Sequence, residues 1–216
     1  MFNVDIYNEI SQKIADFAKK TKIIAVSKNH PKKAIEIAIS HGVNIFGENR
    51  VQEAQAKFMD LKKNHIDLEL HLTGPLQRNK VKDAVKLFDV FHTLDREKLA
   101  KEFFKVGGIE NKKFFIQVNT GKEKTKSGIY LEELNQFINY CKIDLSLNIV
   151  GLMCIPPIND DPKKHFSLLA DEAKKNNLHH LSMGMSADYM DAIDLNASYI
   201  RIGTALFGER KKWKPK

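Results

Sequence analysis

The sequence predicts an α/β fold, a (β/α)8 TIM barrel with an additional N-terminal helix. Three observations predict it. Short apolar, β-rich runs alternate with amphipathic stretches along the chain, the pattern of parallel strands joined by crossover helices. There are eight such runs, with seven helical stretches between them and a short terminal one, and right-handed crossovers close eight strands on themselves. The length of 216 residues suits one barrel, and no linker, low-complexity segment or further repeat divides residues 1–216 into more than a single domain. The competing architecture is an open doubly wound sheet. The absence of a Gly-rich dinucleotide loop after the first strand counts against it.

In chain order, Ile6, Ile10, Ile14 and Phe17 recur at helical spacing between Asp5, Glu9 and Asp16, which describes an amphipathic helix rather than a signal peptide. The first strand, 23–28, runs through Ile-Ile-Ala-Val into Ser27 and Lys28. Helix 31–41 opens on Pro31 at a first-turn position, where a missing amide hydrogen costs little. Strand 44–48, helix 50–63, strand 68–73, helix 79–87, strand 90–94, helix 96–106, strand 114–119 and helix 130–141 continue the alternation. Strand 149–154 lies in the longest apolar run, 149–155, far too short to span a bilayer. Helix 162–176 opens on Pro162, and strand 180–184, helix 188–195 and strand 199–203 complete the barrel.

The composition, 43% hydrophobic and 29% charged, is that of a globular protein with a sizeable core. Cys141 and Cys154 are the only cysteines, and their spacing suggests neither a metal site nor a disulfide framework, so a reduced, cytoplasmic compartment is expected. The net charge of +8 raises the question of nucleic acid. Five of the positive residues fall in the tail 210–216, with no acid among them, and no basic stripe interleaved with aromatics supports base stacking elsewhere.

Chemistry is expected where the strands end. In parallel α/β sheets ligands bind at the carboxyl ends of the strands, and Lys28 brings an amine there. The last two strand ends read Leu181-Ser-Met-Gly-Met-Ser186-Ala-Asp188 and Arg201-Ile-Gly203-Thr204-Ala-Leu-Phe-Gly208. Ser186 is placed to cap the helix from Tyr189, and Thr204 to cap a single turn closed by Gly208. Amides at such starts suit a phosphate, and barrels commonly hold phosphate after strands seven and eight. Strand eight neighbours strand one, so a small phosphorylated aldehyde would bridge the phosphate loops and Lys28, which can form an imine with a carbonyl. Pyridoxal 5'-phosphate is such a molecule, and Arg201 is available for its pyridine nitrogen. His71 reads as a hydrogen-bonded core or pocket histidine, His179-His180 lacks partners for a metal, and Lys122-Glu-Lys-Thr-Lys126 reads as a solvated loop.

The chain resembles the pyridoxal phosphate homeostasis proteins, single-domain barrels similar to the N-terminal domain of bacterial alanine racemase. The resemblance is carried by Ala25-Val-Ser-Lys28, Phe46-Gly-Glu-Asn49-Arg-Val-Gln-Glu53, His71-Leu-Thr-Gly74-Pro-Leu-Gln77-Arg-Asn79-Lys80, Val118-Asn119, Lys126-Ser-Gly128, Gly151-Leu-Met153, Ser182-Met-Gly-Met-Ser186, Arg201-Ile-Gly-Thr204 and Phe207-Gly208. It implies that Lys28 holds the cofactor as an internal aldimine, that Ser186, Gly203 and Thr204 are phosphate ligands, that Arg201 faces the ring nitrogen, and that Asn49 and Met153 line the pocket. Leu72-Thr73 and the short loop at Pro156-Pro157 depart from the usual pattern and touch none of these residues.

The expected function is a non-catalytic carrier of pyridoxal 5'-phosphate serving intracellular cofactor homeostasis and delivery, with no catalytic residues, no metal, no membrane and apo forms of cofactor-dependent enzymes as recipients. An always-charged arginine at the ring nitrogen disfavours its protonation and damps carbanion chemistry. The alternative is a cofactor-dependent amino-acid racemase. In racemases of this fold the second base comes from an added β domain, whereas this chain ends at Lys216, directly after the barrel. Nucleic-acid binding through the tail is a third reading, marked by steep salt dependence. Lys126 and Lys80, after strands five and three, are candidates for passing the cofactor onward.

Overall fold

The computed structural model describes residues 2–17 and 19–209; the basic tail 210–216 lies outside them. Eight parallel strands close into a barrel in sequence order, β1 to β8. They are β1 (Lys22–Val26), β2 (Ile45–Glu48), β3 (Glu69–Leu72), β4 (Val90–Leu94), β5 (Lys113–Gln117), β6 (Ile149–Met153), β7 (His180–Ser182) and β8 (Tyr199–Ile202). Helices α2 (Lys32–Ser40), α3 (Val51–Asn64), α4 (Val81–Leu87), α5 (Glu97–Val106), α6 (Leu131–Asn139), α7 (Pro162–Lys175) and α8 (Tyr189–Asp194) connect them, preceded by α1 (Val4–Asp16) and followed by α9 (Thr204–Phe207). The barrel is the architecture the alternation predicts.

Alternation along the strands builds two apolar layers. Ile23, Ala25, Phe46, Leu70, Phe91, Phe114, Leu152, Ile200 and Ile202 belong to the large cluster under the helices, while Ile24, Val26, Val90, Phe115, Met153 and Tyr199 form a second, smaller one inside the barrel. Closure runs through β8 on β1, with Lys22 opposite Tyr199 and Ala25 opposite Ile202. The N-terminal helix is capped by Asn3, whose side chain accepts from the Ile6 amide, and tied to the last helix by a hydrogen bond from the Asn3 amide to the Leu206 carbonyl (2.7 Å).

Several boundaries differ from those the sequence predicts. β1 ends at Val26, so Lys28 sits in the following turn rather than on the strand. β7 ends at Ser182 because Gly184 turns the chain with φ +89°. Pro31 is the residue before α2 rather than in its first turn, whereas Pro162 does open α7, after an Asp161 cap. α6 passes at Tyr140 into a wider π turn, closed by the Leu145 amide on the Tyr140 carbonyl.

Candidate cofactor site

The structure gathers the expected residues at the carboxyl ends of the strands. Lys28 follows β1, Asn49 follows β2, Met153 ends β6, Ser186 follows β7, and Arg201, Gly203 and Thr204 lie on and after β8. Met153 is fully buried, Arg201 is 5% exposed, Lys28, Asn49 and Gly203 are half-buried, and Ser186 and Thr204 are exposed. Gly74 lets the rim close here: a Cβ on it would meet Asn49 at 2.6 Å. Asn49 in turn accepts from the Thr73 hydroxyl (3.0 Å).

The turn that presents Lys28 is clamped from α3. Residues 27–30 are joined by the His30 amide on the Ser27 carbonyl (3.1 Å), with Asn29 in the left-handed region at φ +64°. Lys57 donates to the carbonyls of Ser27 (2.9 Å) and His30 (3.3 Å), on either side of Lys28. Glu53 accepts from the Asn29 amide and pairs with Lys57 at 2.9 Å, and Glu48 accepts from the Ser27 hydroxyl (2.7 Å) and pairs with Lys57 at 2.5 Å. All three charged side chains are buried, and one oxygen of each carboxylate has no hydrogen-bond partner among the described residues. Burial pushes the Glu48 carboxyl up to about 7, against the opposing pull of Lys57. Sequence reading missed this cluster, although Glu53 and Lys57 stand four apart on one helix face, a visible signal.

Arg201 is positioned from inside the barrel. Its guanidinium donates to Ser182 Oγ (2.8 Å) and to the Cys154 carbonyl (2.9 Å) rather than to Asp188 or Glu209. His92 stacks on Phe115 at 4.6 Å and meets Ser182 Oγ through Nδ1 (2.8 Å) and His71 Nδ1 through Nε2 (2.8 Å); His71 Nε2 reaches Glu69 (2.7 Å). His71 is thus the hydrogen-bonded core histidine expected of it. Its partner His92 was missed, though a histidine inside an apolar strand was the available signal.

The loops after β7 and β8 are built differently from expectation. Ser186 does not cap α8: the residue before that helix is Asp188, whose carboxylate instead accepts from the Met185 amide (2.5 Å). Gly203, not Thr204, stands before α9, and Thr204 is its first residue, because the Gly203 carbonyl already accepts from Leu206 (2.9 Å) and Phe207 (3.0 Å). Gly208 closes the turn at φ +80°, as expected. Bonding inside the turn starts at Leu206, which leaves the amides ahead of it outside that ladder. Both cysteine thiols are buried and pushed up to about 12, which removes them as nucleophiles near neutrality. Among the described residues no His, Cys, Asp and Glu side chains group to hold a metal ion, and no helix is long and apolar enough to cross a membrane.

Residues 7–211 match the family of the alanine racemase N-terminal domain. The chain is 39% identical over 201 residues to the pyridoxal phosphate homeostasis protein of Aquifex aeolicus, covering 88% of this chain and 87% of that one. It is 37% identical to that of Vibrio cholerae, covering 92% and 89%. Among solved structures, PipY of Synechococcus elongatus with pyridoxal 5'-phosphate bound superposes with a TM-score of 0.76 at 36% identity, over 88% of this chain and 93% of PipY. Alanine racemase of Corynebacterium glutamicum shares the fold, with a TM-score of 0.69 at 18% identity, this chain covering 62% of it. With a barrel matched over nearly its whole length and relatives aligned over most of theirs, the chain belongs to the pyridoxal phosphate homeostasis protein family.

Proposed function

We propose that this protein binds pyridoxal 5'-phosphate, held covalently through Lys28, and serves cytoplasmic cofactor homeostasis and delivery rather than catalysing a reaction of its own. The observation that carries the reading is Arg201, a buried guanidinium whose hydrogen bonds go to neutral partners, Ser182 and Cys154, on the same rim as Lys28. The residues fit the group in their chemistry. Lys28 supplies an amine to condense with an aldehyde, releasing one water. Arg201, a donor at any ordinary pH, suits an unprotonated pyridine nitrogen. Gly203, Thr204 and Ser186 offer amides and hydroxyls to a phosphate, and Asn49 and Met153 wall the pocket.

When bound, the cofactor supplies an aldehyde and an electron-withdrawing ring. Arg201 restrains the second property, because a cation beside the ring nitrogen opposes its protonation. That favours storage and delivery over the alternative, a cofactor-dependent racemase.

The test is to load the protein, reduce it with borohydride and map the modified peptide. The adduct is expected on Lys28 and absent in Lys28→Ala; an adduct mainly on another lysine overturns the assignment. Interconversion of D- and L-alanine by the loaded protein, above that of free cofactor, would instead support the racemase.

A further inference from the structure

Inside the barrel, five side chains from four strands form an unbroken polar path. Arg201 (β8) meets Ser182 (β7), Ser182 meets His92 (β4), His92 meets His71 and His71 meets Glu69 (both β3), at 2.8, 2.8, 2.8 and 2.7 Å. Arg201, Ser182, His92 and His71 are buried, and the rings of Phe115 and Tyr199 flank the path. Glu69 begins β3 at the opposite mouth, 26% exposed and 3.6 Å from Lys113.

The two ends fix the direction of every bond between them. Arginine only donates and an ionised carboxylate only accepts. Glu69 is ionised, since the His71 hydrogen bond, ahead of the nearby lysines, holds its carboxyl down to about 2. His71 therefore carries its proton on Nε2, and its Nδ1 accepts. His92 must then donate from Nε2 and accept at Nδ1, and the Ser182 hydroxyl donates to it while accepting from Arg201. Every member is satisfied with both imidazoles neutral, and burial pushes both down from their ordinary value. With the proton of His71 on Nδ1, an imidazole lone pair would face the Glu69 carboxylate at 2.7 Å. Protonating His71 would turn His92 around and leave its Nδ1–H, not the serine hydroxyl, as the donor between them.

We propose that Ser182, His92, His71 and Glu69 are positioning residues that hold the Arg201 guanidinium through a one-way hydrogen-bond chain, each link donating toward the Glu69 carboxylate at the far mouth. The chain anchors the buried charge of Arg201 through neutral hydrogen-bond partners, with the Asp188 carboxylate acting on it only through its charge. A carboxylate in place of those partners would raise the basicity of a nitrogen facing the same pocket; a neutral serine hydroxyl anchors the cation and leaves its field intact. The consequence for the cofactor rests on the reading that Arg201 faces the pyridine nitrogen.

The chain is tested first without cofactor. In protein labelled with 15N at histidine, long-range nitrogen–proton correlations are expected to report both His71 and His92 as neutral Nε2–H tautomers at neutral pH. An Nδ1–H tautomer or an imidazolium at either position overturns the one-way chain. The second arm uses pyridoxal 5'-phosphate labelled at the ring nitrogen. Ser182→Ala is expected to weaken binding about tenfold, the scale of one hydrogen bond to a charged group, and to move the ring-nitrogen resonance. If Arg201→Gln moves both readouts and Ser182→Ala moves neither, Ser182 does not position Arg201 and the proposal fails. If Arg201→Gln itself leaves the ring nitrogen unchanged, the cofactor reading of Arg201 fails, while the tautomers still decide the chain.

Discussion

Behind the turn that presents Lys28, one lysine serves two buried carboxylates, so Lys57 compensates only one of the charges that Glu48 and Glu53 can carry. The folded protein keeps Glu48 protonated up to about 7, against an ordinary value of 4.5. Its contribution to stability is therefore full below the ordinary value and is lost as pH rises through about 7, a change on the order of 3 kcal/mol. His71 and His92 act oppositely in the same window: both are pushed down, so their contribution is present above the ordinary histidine range and lost as pH falls. The informative quantity is thus the difference between Glu48→Gln and wild type. Urea unfolding is expected to show the variant gaining on wild type between about pH 5 and 8, and a constant difference would mean Glu48 stays ionised. In sequence, Lys28 and Arg201 stood out by type and place. Glu48 did not, because a glutamate at a strand's end ordinarily faces water.

At the scale of elements, the loop after β7 turns on Gly184. Its φ of +89° is one that side-chain-bearing residues avoid, and a Cβ there would lie 2.5 Å from the Ala192 Cβ of α8. A Cβ on Gly208, at φ +80°, would meet nothing within 4 Å. Gly184→Ala is therefore expected to cost about 2–5 kcal/mol, backbone strain and overpacking together, and Gly208→Ala only about 1–2. Thermal and urea unfolding of the two variants check the order, and equal losses would mean that α8 yields to the added methyl. The sequence announced both glycines and the strand–helix switch but not the caps. Asp188 and Gly203 take the places expected of Ser186 and Thr204 because where a loop bends, rather than residue preference alone, decides which position stands before the helix.

For the whole molecule, barrel closure was legible because strand–helix alternation is a local signal repeated along the chain. The interior path was not, since it exists only after closure: Ser182 and His92 are 90 residues apart in sequence. The same closure brings the loop after β5 to the rim that carries Lys28, with Lys126 on it. That loop, read from sequence as solvated, is pinned by Asn119, whose side-chain amide donates to the carbonyls of Glu123 (2.9 Å) and Lys126 (3.3 Å) and whose oxygen accepts from the Glu123 amide (3.1 Å). Lys126 pairs across the loop with Glu123 at 3.6 Å, both partly exposed, an attachment that costs little to break. If the cofactor is carried on Lys28 as proposed, a fixed loop with a loosely held amine suits exchange: the Lys126 amine would take the place of the Lys28 amine, which would leave, with no water needed. On this reading, Lys126→Ala protein loaded as fully as wild type activates an apo-enzyme that needs pyridoxal 5'-phosphate more slowly, and Lys80→Ala, on the turn after β3, reports whether that amine shares the task. Time courses of activation at equal loading decide it, and identical rates in wild type and Lys126→Ala would leave Lys126 a solvated loop residue.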